Sequence, residues 1–256
     1  MQRIIVLNPK GGSGKSTIAT SLAGYLAAAD HQPVLLDRDP QGSSSHWFSR
    51  RSPDRPPVHL IKTWERSART TLTFRLHPPV GTTHVVVDTP AAVSAQDLPE
   101  LTRTADKILV PVLPSAIDIH ACSSIIRDLL LVAKVRRDSN QLAVIANRVR
   151  VNTLIYDSLI RFLATLGIPI VATLRDSQNY VRAAENGLSI HELKSYVARE
   201  DIESWQPLLD WLERPSERGA CVADYAGVRA AVDSIDADAR GGASIESAEP
   251  ELAATA

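Results

Sequence analysis

The sequence predicts an α/β protein with a doubly wound, mainly parallel sheet. Short uninterrupted apolar runs alternate with segments whose apolar residues recur at helical spacing. Apolar runs without polar alternation indicate strands that helices cover on both faces. Polar residues with binding chemistry follow several of these runs directly, where the carboxyl ends of parallel strands form a ligand crevice.

The alternation assigns most elements. Strands are predicted at residues 3–7, 33–36, 84–87, 107–112, 141–146 and 168–172. Helices are predicted at residues 15–29, 96–105, 116–136, 153–166, 180–186 and 199–212. The polar, basic stretch between the second and third strands receives no assignment.

Composition divides the chain into a domain at residues 1–214 and a tail at 215–256. The whole chain of 256 residues has a net charge of −1. The tail carries 8 acidic and 3 basic residues, so its net charge is −5 and that of the body is +4. Because the tail is rich in Ala, Ser, Gly and Asp, we expect it to be mostly disordered. A mildly basic body permits a polyanionic partner without requiring one.

Several classes of protein are disfavoured by composition. The two cysteines, Cys122 and Cys221, form no CxxC pair, which argues against a zinc or iron–sulfur framework. No apolar stretch reaches 18 residues, and the N-terminus lacks a charged leader followed by a cleavage site. The expectation is a cytoplasmic protein.

The segment from Asn8 to Thr17, Asn-Pro-Lys-Gly-Gly-Ser-Gly-Lys-Ser-Thr, predicts a phosphate-binding loop. Glycines allow successive N–H groups to converge on an anion, and the following helix directs its N-terminus at the same point. Lys15 supplies charge to the β- and γ-phosphates of ATP, and Ser16 offers a hydroxyl to Mg²⁺. The predicted nucleotide-binding residues of this loop are Gly11, Gly12, Ser13, Gly14, Lys15, Ser16 and Thr17.

Two acidic segments follow other strands. Asp37 and Asp39 lie two residues apart in Asp-Arg-Asp-Pro-Gln-Gly, and Asp88 ends the run Val-Val-Val-Asp-Thr-Pro. A carboxylate at the end of a buried strand is costly unless a cation pairs with it. Mg²⁺ meets that need, so Ser16, Asp37 and Asp88 are the predicted metal-binding residues.

The glycine-rich segment resembles the deviant Walker A motif of the ParA/MinD family of P-loop ATPases. The resemblance implies that Lys10 is the signature lysine, which reaches the nucleotide of a partner subunit in an ATP-bound homodimer. It implies that Asp39 belongs to switch I and supports hydrolysis, so that Lys10, Lys15 and Asp39 are the catalytic residues. It also places Asn147 near adenine. Further similar segments extend the resemblance over residues 2–212.

ParA-type members imply one function: an ATP-dependent dimer binds non-specific DNA of the nucleoid and positions a plasmid, a chromosome region or a protein organelle such as a carboxysome. A partner of ParB or adaptor type stimulates hydrolysis. Non-specific DNA binding needs clustered basic residues. The candidates are Arg175, Arg182, Lys194 and Arg199; a second basic group, Arg50, Arg51, Arg55, Lys62, Arg66 and Arg69, could instead face a partner or the dimer interface.

The alternative is a MinD-like ATPase that binds membranes at the cell-division site. Such a protein needs a basic amphipathic helix at its C-terminus. The tail of this chain is acidic and has few bulky apolar residues, so an anionic bilayer would repel it. We therefore expect no membrane partner.

Overall fold

The computed structural model describes residues 1–64, 78–91, 93–151 and 153–216. Over this part of the chain, seven parallel strands form one sheet in the order β3-β2-β4-β1-β5-β6-β7. The strands are β1 (Gln2–Val6), β2 (Pro33–Asp37), β3 (His59–Lys62), β4 (His84–Asp88), β5 (Lys107–Val112), β6 (Leu142–Val149) and β7 (Ile170–Arg175).

Helices lie between the strands, as the alternating pattern predicted. They are α1 (Lys15–Ala28), α2 (Ser43–Ser49), α3 (Leu98–Thr102), α4 (Ala116–Leu131), α5 (Leu154–Leu166), α6 (Gln178–Glu185), α7 (Ser195–Glu203) and α8 (Gln206–Glu213), with a 3₁₀ turn at Ile190–Glu192. The doubly wound parallel fold is therefore confirmed.

The strand order brings the three predicted ligand-binding segments together. The central strand β1 pairs with β4 on one side and with β5 on the other, and β4 also pairs with β2. Residues Asp37 and Asp88 are direct register partners on β2 and β4. Because all strands are parallel, the phosphate loop after β1 and both acidic segments open at the same sheet edge.

Apolar packing explains why these strands read as continuous hydrophobic runs. Central positions of β1, β4, β5 and β6 are buried, and helices pack on the sheet. Removing this apolar surface from water is the main favourable term in folding. The packed sheet thus gives a rigid platform for the loops at its carboxyl edge.

The stretch that received no assignment contains two elements that the sequence pattern did not predict. It contains helix α2 and the short edge strand β3. A seven-residue helix and a four-residue strand present too few apolar positions for a clear period. Both elements depend on tertiary contacts, such as the buried side chain of Trp47 in α2.

Three predicted helices differ most from the bounds observed in the structure. The helix predicted at 96–105 is only α3, and the one at 116–136 ends at Leu131, shortly before Lys134 adopts a left-handed φ of 54°. The segment predicted as one helix at 199–212 belongs to α7 and α8. Pro207 lies in the first turn of α8, because proline is tolerated at the start of a helix but not in the interior of one. A continuous helix through Pro207 is therefore disfavoured.

The predicted tail at 215–256 lies almost wholly outside the described residues, as do Arg66, Arg69 and Cys221. None of the helices in the described ranges has the length and apolar character needed to cross a bilayer.

Candidate nucleotide site

The phosphate loop joins β1 to α1 and is closed by contacts to a single carbonyl. Both the ammonium of Lys15 and the hydroxyl of Ser13 donate to the carbonyl oxygen of Lys10, at 3.0 and 3.2 Å. Lys15 is buried, and its desolvation lowers its pKa, against which Asp88 and Asp39 act. The amino group of Lys15 therefore points into the loop, where a phosphate group would complete its coordination.

Asn8 fixes the start of the loop. Its side-chain NH₂ group donates to the backbone carbonyl of Pro111 on β5 at 2.6 Å. Its side-chain Oδ1 accepts from the backbone N–H of Lys10 at 2.8 Å. Asn8 is fully buried, so both contacts are shielded from water. No role for Asn8 was predicted from the sequence, since its partner on β5 is 103 residues away.

Gly14 and Asn147 support the loop from its other side. Gly14 has a φ of 91°, and a Cβ atom there would lie 2.2 Å from the side-chain nitrogen of Asn147. That nitrogen donates to the carbonyl of Ser13 at 2.9 Å. Only glycine satisfies both the left-handed backbone and the close approach. In the structure Asn147 braces the loop, and its predicted contact with adenine stays a prediction.

A bulge in β6 aims Asn147 at the loop. The register between β6 and β7 shifts between Ala146 and Val149, and Arg148 adopts a left-handed φ of 51°. The side chain of Asn147 faces Ser13, while that of Arg148 forms an ion pair with Asp176. Bulges commonly redirect side chains beside binding sites.

The Asp37 carboxylate is already engaged by the segment that follows it. Its Oδ1 accepts from the backbone of Asp39 at 3.1 Å, and its Oδ2 accepts from the backbone of Ser45 at 3.0 Å as well as from the Ser45 hydroxyl. Asp37 is fully buried. These contacts suit a residue that organises the loop around Asp39.

Asp88 has the features of a metal-binding carboxylate. Its Oδ2 accepts from the Ser44 hydroxyl at 2.7 Å, while its Oδ1 is buried without a hydrogen-bond partner. Burial raises its pKa to about 6, while the nearby hydroxyls of Ser44 and Ser16 and the charge of Lys15 act to lower it. An unpaired buried carboxylate oxygen beside a hydroxyl fits Mg²⁺, which takes one or two protein oxygens together with phosphates and water.

Asp39 is half-buried in a tight turn. Its carboxylate accepts from the backbone N–H of Gln41 at 3.0 Å, and its carbonyl accepts from the N–H of Gly42 at 2.9 Å. The charge of Asp39 acts to raise the lowered pKa of Lys15, so Asp39 is within electrostatic range of the phosphate loop. Parallel strands also bring the segments after β1 and β2 to the same edge of the sheet. The predicted switch I carboxylate thus lies beside the predicted phosphate site.

Lys10 behaves differently from Lys15. Its amino group forms a salt bridge with Asp118, near the start of α4, and the Ser115 hydroxyl donates to the same carboxylate. Gly11 is exposed, and the space around a Cβ there is open to beyond 4 Å. Asp118 received no role in the prediction from the sequence, because it lies 108 residues from Lys10 in the chain.

The predicted DNA-binding residues lie on β7, α6 and α7, with differing ion pairing. Arg175 pairs with Glu200 and with the fully buried Asp201, and Arg199 pairs with Glu203. Arg182 is exposed near the end of α6. The ammonium of Lys194 lies 5.9 Å from the centroid of the Tyr196 ring, which is 80% exposed.

The described members of the second basic group differ in their contacts. Arg51 is buried in an ion pair with Glu192 at 2.8 Å. Arg50 donates to the carbonyl of Glu185 at 3.3 Å, and Lys62 lies 5.5 Å from the centroid of the Trp64 ring. Of the described members, Arg51 therefore serves the fold.

A glycine-rich loop between a central strand and a helix, with a buried lysine and carboxylates at the same sheet edge, defines a P-loop nucleotide-binding protein. The family model for the CobQ/CobB/MinD/ParA nucleotide-binding domain matches residues 4–190. The chain belongs to this family, whose ParA/MinD members are P-loop ATPases.

Comparison with curated proteins and solved structures agrees with this family. Maintenance of carboxysome distribution protein A of Gloeobacter kilaueensis is 32% identical over 221 residues, which cover 82% of this chain and 94% of that protein. Among solved structures, the ATP complex of a Cyanothece McdA point variant aligns with a TM-score of 0.65 at 15% identity, over 86% of this chain and 99% of that one. The Aquifex aeolicus MinC:MinD cell division complex gives a TM-score of 0.64 at 16% identity, over 86% and 100%.

Proposed function

We propose that this chain is an ATPase that dimerises with ATP, binds DNA without sequence preference and positions a cargo, with a partner protein stimulating hydrolysis. The observation that carries the proposal is the contrast between two lysines of one loop. Lys15 points into its own phosphate loop, whereas Lys10 points away from it to Asp118. A lysine that does not point into its own phosphate loop could reach the nucleotide of a second subunit once it leaves Asp118.

The residues of the site suit phosphoryl transfer to water. Lys15 and the loop amides would bind the phosphates, and Asp39 would orient the attacking water. Ser16 and the unpaired oxygen of Asp88 would hold Mg²⁺. Asp37, which the sequence also predicted as a metal-binding residue, would instead hold the loop around Asp39, because both of its oxygens already accept hydrogen bonds. When bound, Mg²⁺ would neutralise charge that develops on the phosphate oxygens. Lys10 of the second subunit would add a further positive charge.

The DNA contacts in this proposal rest mainly on two of the four candidates. The charges of Arg175 and Arg199 are partly neutralised by carboxylates of α7. Arg182 and Lys194 have no such ion pair among the described residues; Arg182 lies in α6, and Lys194 directly precedes α7. A dimer would double this surface and strengthen a salt-sensitive contact with phosphates.

The proposed class of cargo is supported by the Gloeobacter kilaueensis relative, whose name refers to carboxysome distribution and which this chain covers almost entirely. A shorter match, 40% identical over 62 residues, joins this chain to the chromosome-partitioning ATPase Soj of Thermus thermophilus. We propose a protein organelle as the leading candidate and a plasmid or chromosome region as the other. An adaptor or ParB-type protein would link the ATPase to the cargo.

A gel-shift series on random duplex DNA tests the proposal. Binding is expected with ATP and not with ADP, and affinity should fall steeply as salt rises. Lys15→Gln should abolish ATP-dependent binding. Arg182→Glu combined with Lys194→Glu should weaken binding. The slope of log affinity against log salt concentration should also become shallower, as expected for the loss of about two phosphate contacts. Arg103→Glu, a charge reversal at one exposed position before β5, is the control and should bind as the unaltered protein does.

The same proteins should be tested on vesicles of anionic phospholipid. ATP-dependent flotation with vesicles, together with absent DNA binding, would favour the MinD-like alternative. Binding to DNA that is equal with ATP, ADP and no nucleotide would contradict the proposed coupling between dimerisation and DNA.

A further inference from the structure

We infer that Ser44 is a positioning residue for the metal: it holds one oxygen of Asp88 so that the other faces the Mg²⁺ position, and it thereby connects that carboxylate to helix α2 behind switch I. This inference rests on the proposed nucleotide site. It assigns a role to a residue outside the phosphate loop and the acidic segments.

The contact between Ser44 and Asp88 is short and dry. The Ser44 hydroxyl donates to Asp88 Oδ2 at 2.7 Å, and both residues are fully buried. A serine hydroxyl has a single proton, so it can satisfy only one carboxylate oxygen in this way. Oδ1 is left buried and unpaired. This arrangement is costly for the protein alone and becomes favourable when a cation binds Oδ1.

The position of Ser44 is fixed at both ends of α2. At the start of the helix, the backbone N–H of the next residue, Ser45, donates to Asp37. Towards its end, the indole N–H of Trp47 donates to the carbonyl of Leu188 at 3.0 Å. Just beyond it, Arg51 forms its buried ion pair with Glu192. The hydroxyl of Ser44 is therefore presented to Asp88 by a helix that is tied to the rest of the domain.

The same helix begins at the end of switch I. Gly42 precedes α2 and provides no side-chain cap, while its N–H donates to the carbonyl of Asp39 at 2.9 Å. A shift of Asp88 on metal binding would act on Ser44 and, through the first turn of α2, on the turn that contains Asp39. Hydrogen-bonding partners of metal-binding carboxylates commonly tune metal affinity in this way.

The test measures how Mg²⁺ strengthens nucleotide binding, independently of hydrolysis. The affinity for a fluorescent ADP analogue is determined by anisotropy in EDTA and across a Mg²⁺ titration. For Ser44→Ala we expect the Mg²⁺ concentration at half-saturation to rise about tenfold. The affinity in EDTA should stay as in the unaltered protein, because phosphate binding by Lys15 and the loop does not involve Ser44.

Ser43→Ala is the matched control, since Ser43 is exposed one residue earlier in the same helix, and it should leave both affinities unchanged. Ser44→Cys nearly preserves the side-chain volume but donates only weakly, so it should raise the Mg²⁺ concentration at half-saturation to a similar extent. This variant provides the test if Ser44→Ala does not fold. An unchanged Mg²⁺ titration would overturn the inference, as would equal weakening in Mg²⁺ and in EDTA. If the unaltered protein bound nucleotide without any Mg²⁺ effect, the proposed site itself would fail.

Discussion

Lys10 and Asp118 form a salt bridge that joins the phosphate loop to the start of helix α4 within one chain. The Asp118 side chain is almost completely buried, whereas about a third of the Lys10 side chain is exposed. Asp118 also accepts from Ser115, yet its Oδ1 has no partner. In this arrangement Lys10 serves its own subunit, so it must leave Asp118 before it can reach the nucleotide of another.

Asp118→Asn should therefore promote ATP-dependent dimerisation. Removing the charge of Asp118 lowers the cost of freeing Lys10 by about 1 kcal/mol per subunit for a partly exposed pair. Because a dimer frees two such lysines, dimerisation should tighten by roughly thirtyfold. Light scattering after size exclusion, over a series of protein concentrations with ATP, measures this change. Asp128→Asn, later in the same helix, is the control. A weaker dimer in the Asp118 variant would show that this pair does not restrain Lys10.

Asp39→Ala should separate binding from hydrolysis. The variant retains Lys10, Lys15 and the Asp88 site, so we expect it to bind ATP and to dimerise. Loss of the group that orients water should reduce the hydrolysis rate by roughly a hundredfold or more. Phosphate release and dimer size are measured on the same sample. Hydrolysis at the unaltered rate would exclude Asp39 from the reaction.

Gly11→Val should block pairing of subunits while leaving each subunit able to bind nucleotide. A Cβ atom at this exposed position meets nothing within 4 Å inside the chain, so the fold can accept it. In the proposed dimer the added bulk would meet the second subunit. Nucleotide titration and light scattering should show a monomer with nearly normal affinity, and Lys10→Ala should behave similarly. A Gly11→Val dimer with ATP would place the interface elsewhere.

The stability of the domain should fall in mild acid because of His191. Its ring packs between Tyr25 and Trp205, neither ring nitrogen has a hydrogen-bond partner, and burial lowers its pKa to about 4. Below its ordinary pKa of 6.5, the unfolded chain binds a proton that the folded chain does not. The free energy of unfolding should consequently decrease between about pH 6.5 and about pH 4, by about 3 kcal/mol from this residue.

Urea unfolding of His191→Phe across the same pH range checks this expectation. The pH dependence should be shallower than in the unaltered protein, since the titrating group is gone. His120→Phe, at an exposed position, should keep the original slope. Asp88 is present in all three proteins, so its titration cancels from the comparison. Parallel curves for both variants would contradict the assignment to His191.

The fold class and the local parts of the site could be predicted from the sequence. Strands buried on both faces read as unbroken apolar runs, and the phosphate loop depends on a contiguous order of glycines and lysines that local backbone geometry requires. The resemblance to the deviant Walker A motif also predicted different roles for Lys10 and Lys15. Such signals are readable because neighbours in the chain are neighbours in space.

Contacts between distant residues were decided by the tertiary structure. Ser44 meets Asp88, and Lys10 meets Asp118, only because β1 lies between β4 and β5 in the sheet and the following loops share one edge. Helix α2 and strand β3 escaped prediction because long-range packing stabilises them more than local periodicity does. Local patterns were thus enough to predict a parallel α/β sheet with a phosphate loop. The order of the strands in the sheet then determines which side chains contact the charged groups Asp88 and Lys10, because hydrogen bonds and ion pairs depend on distance in space.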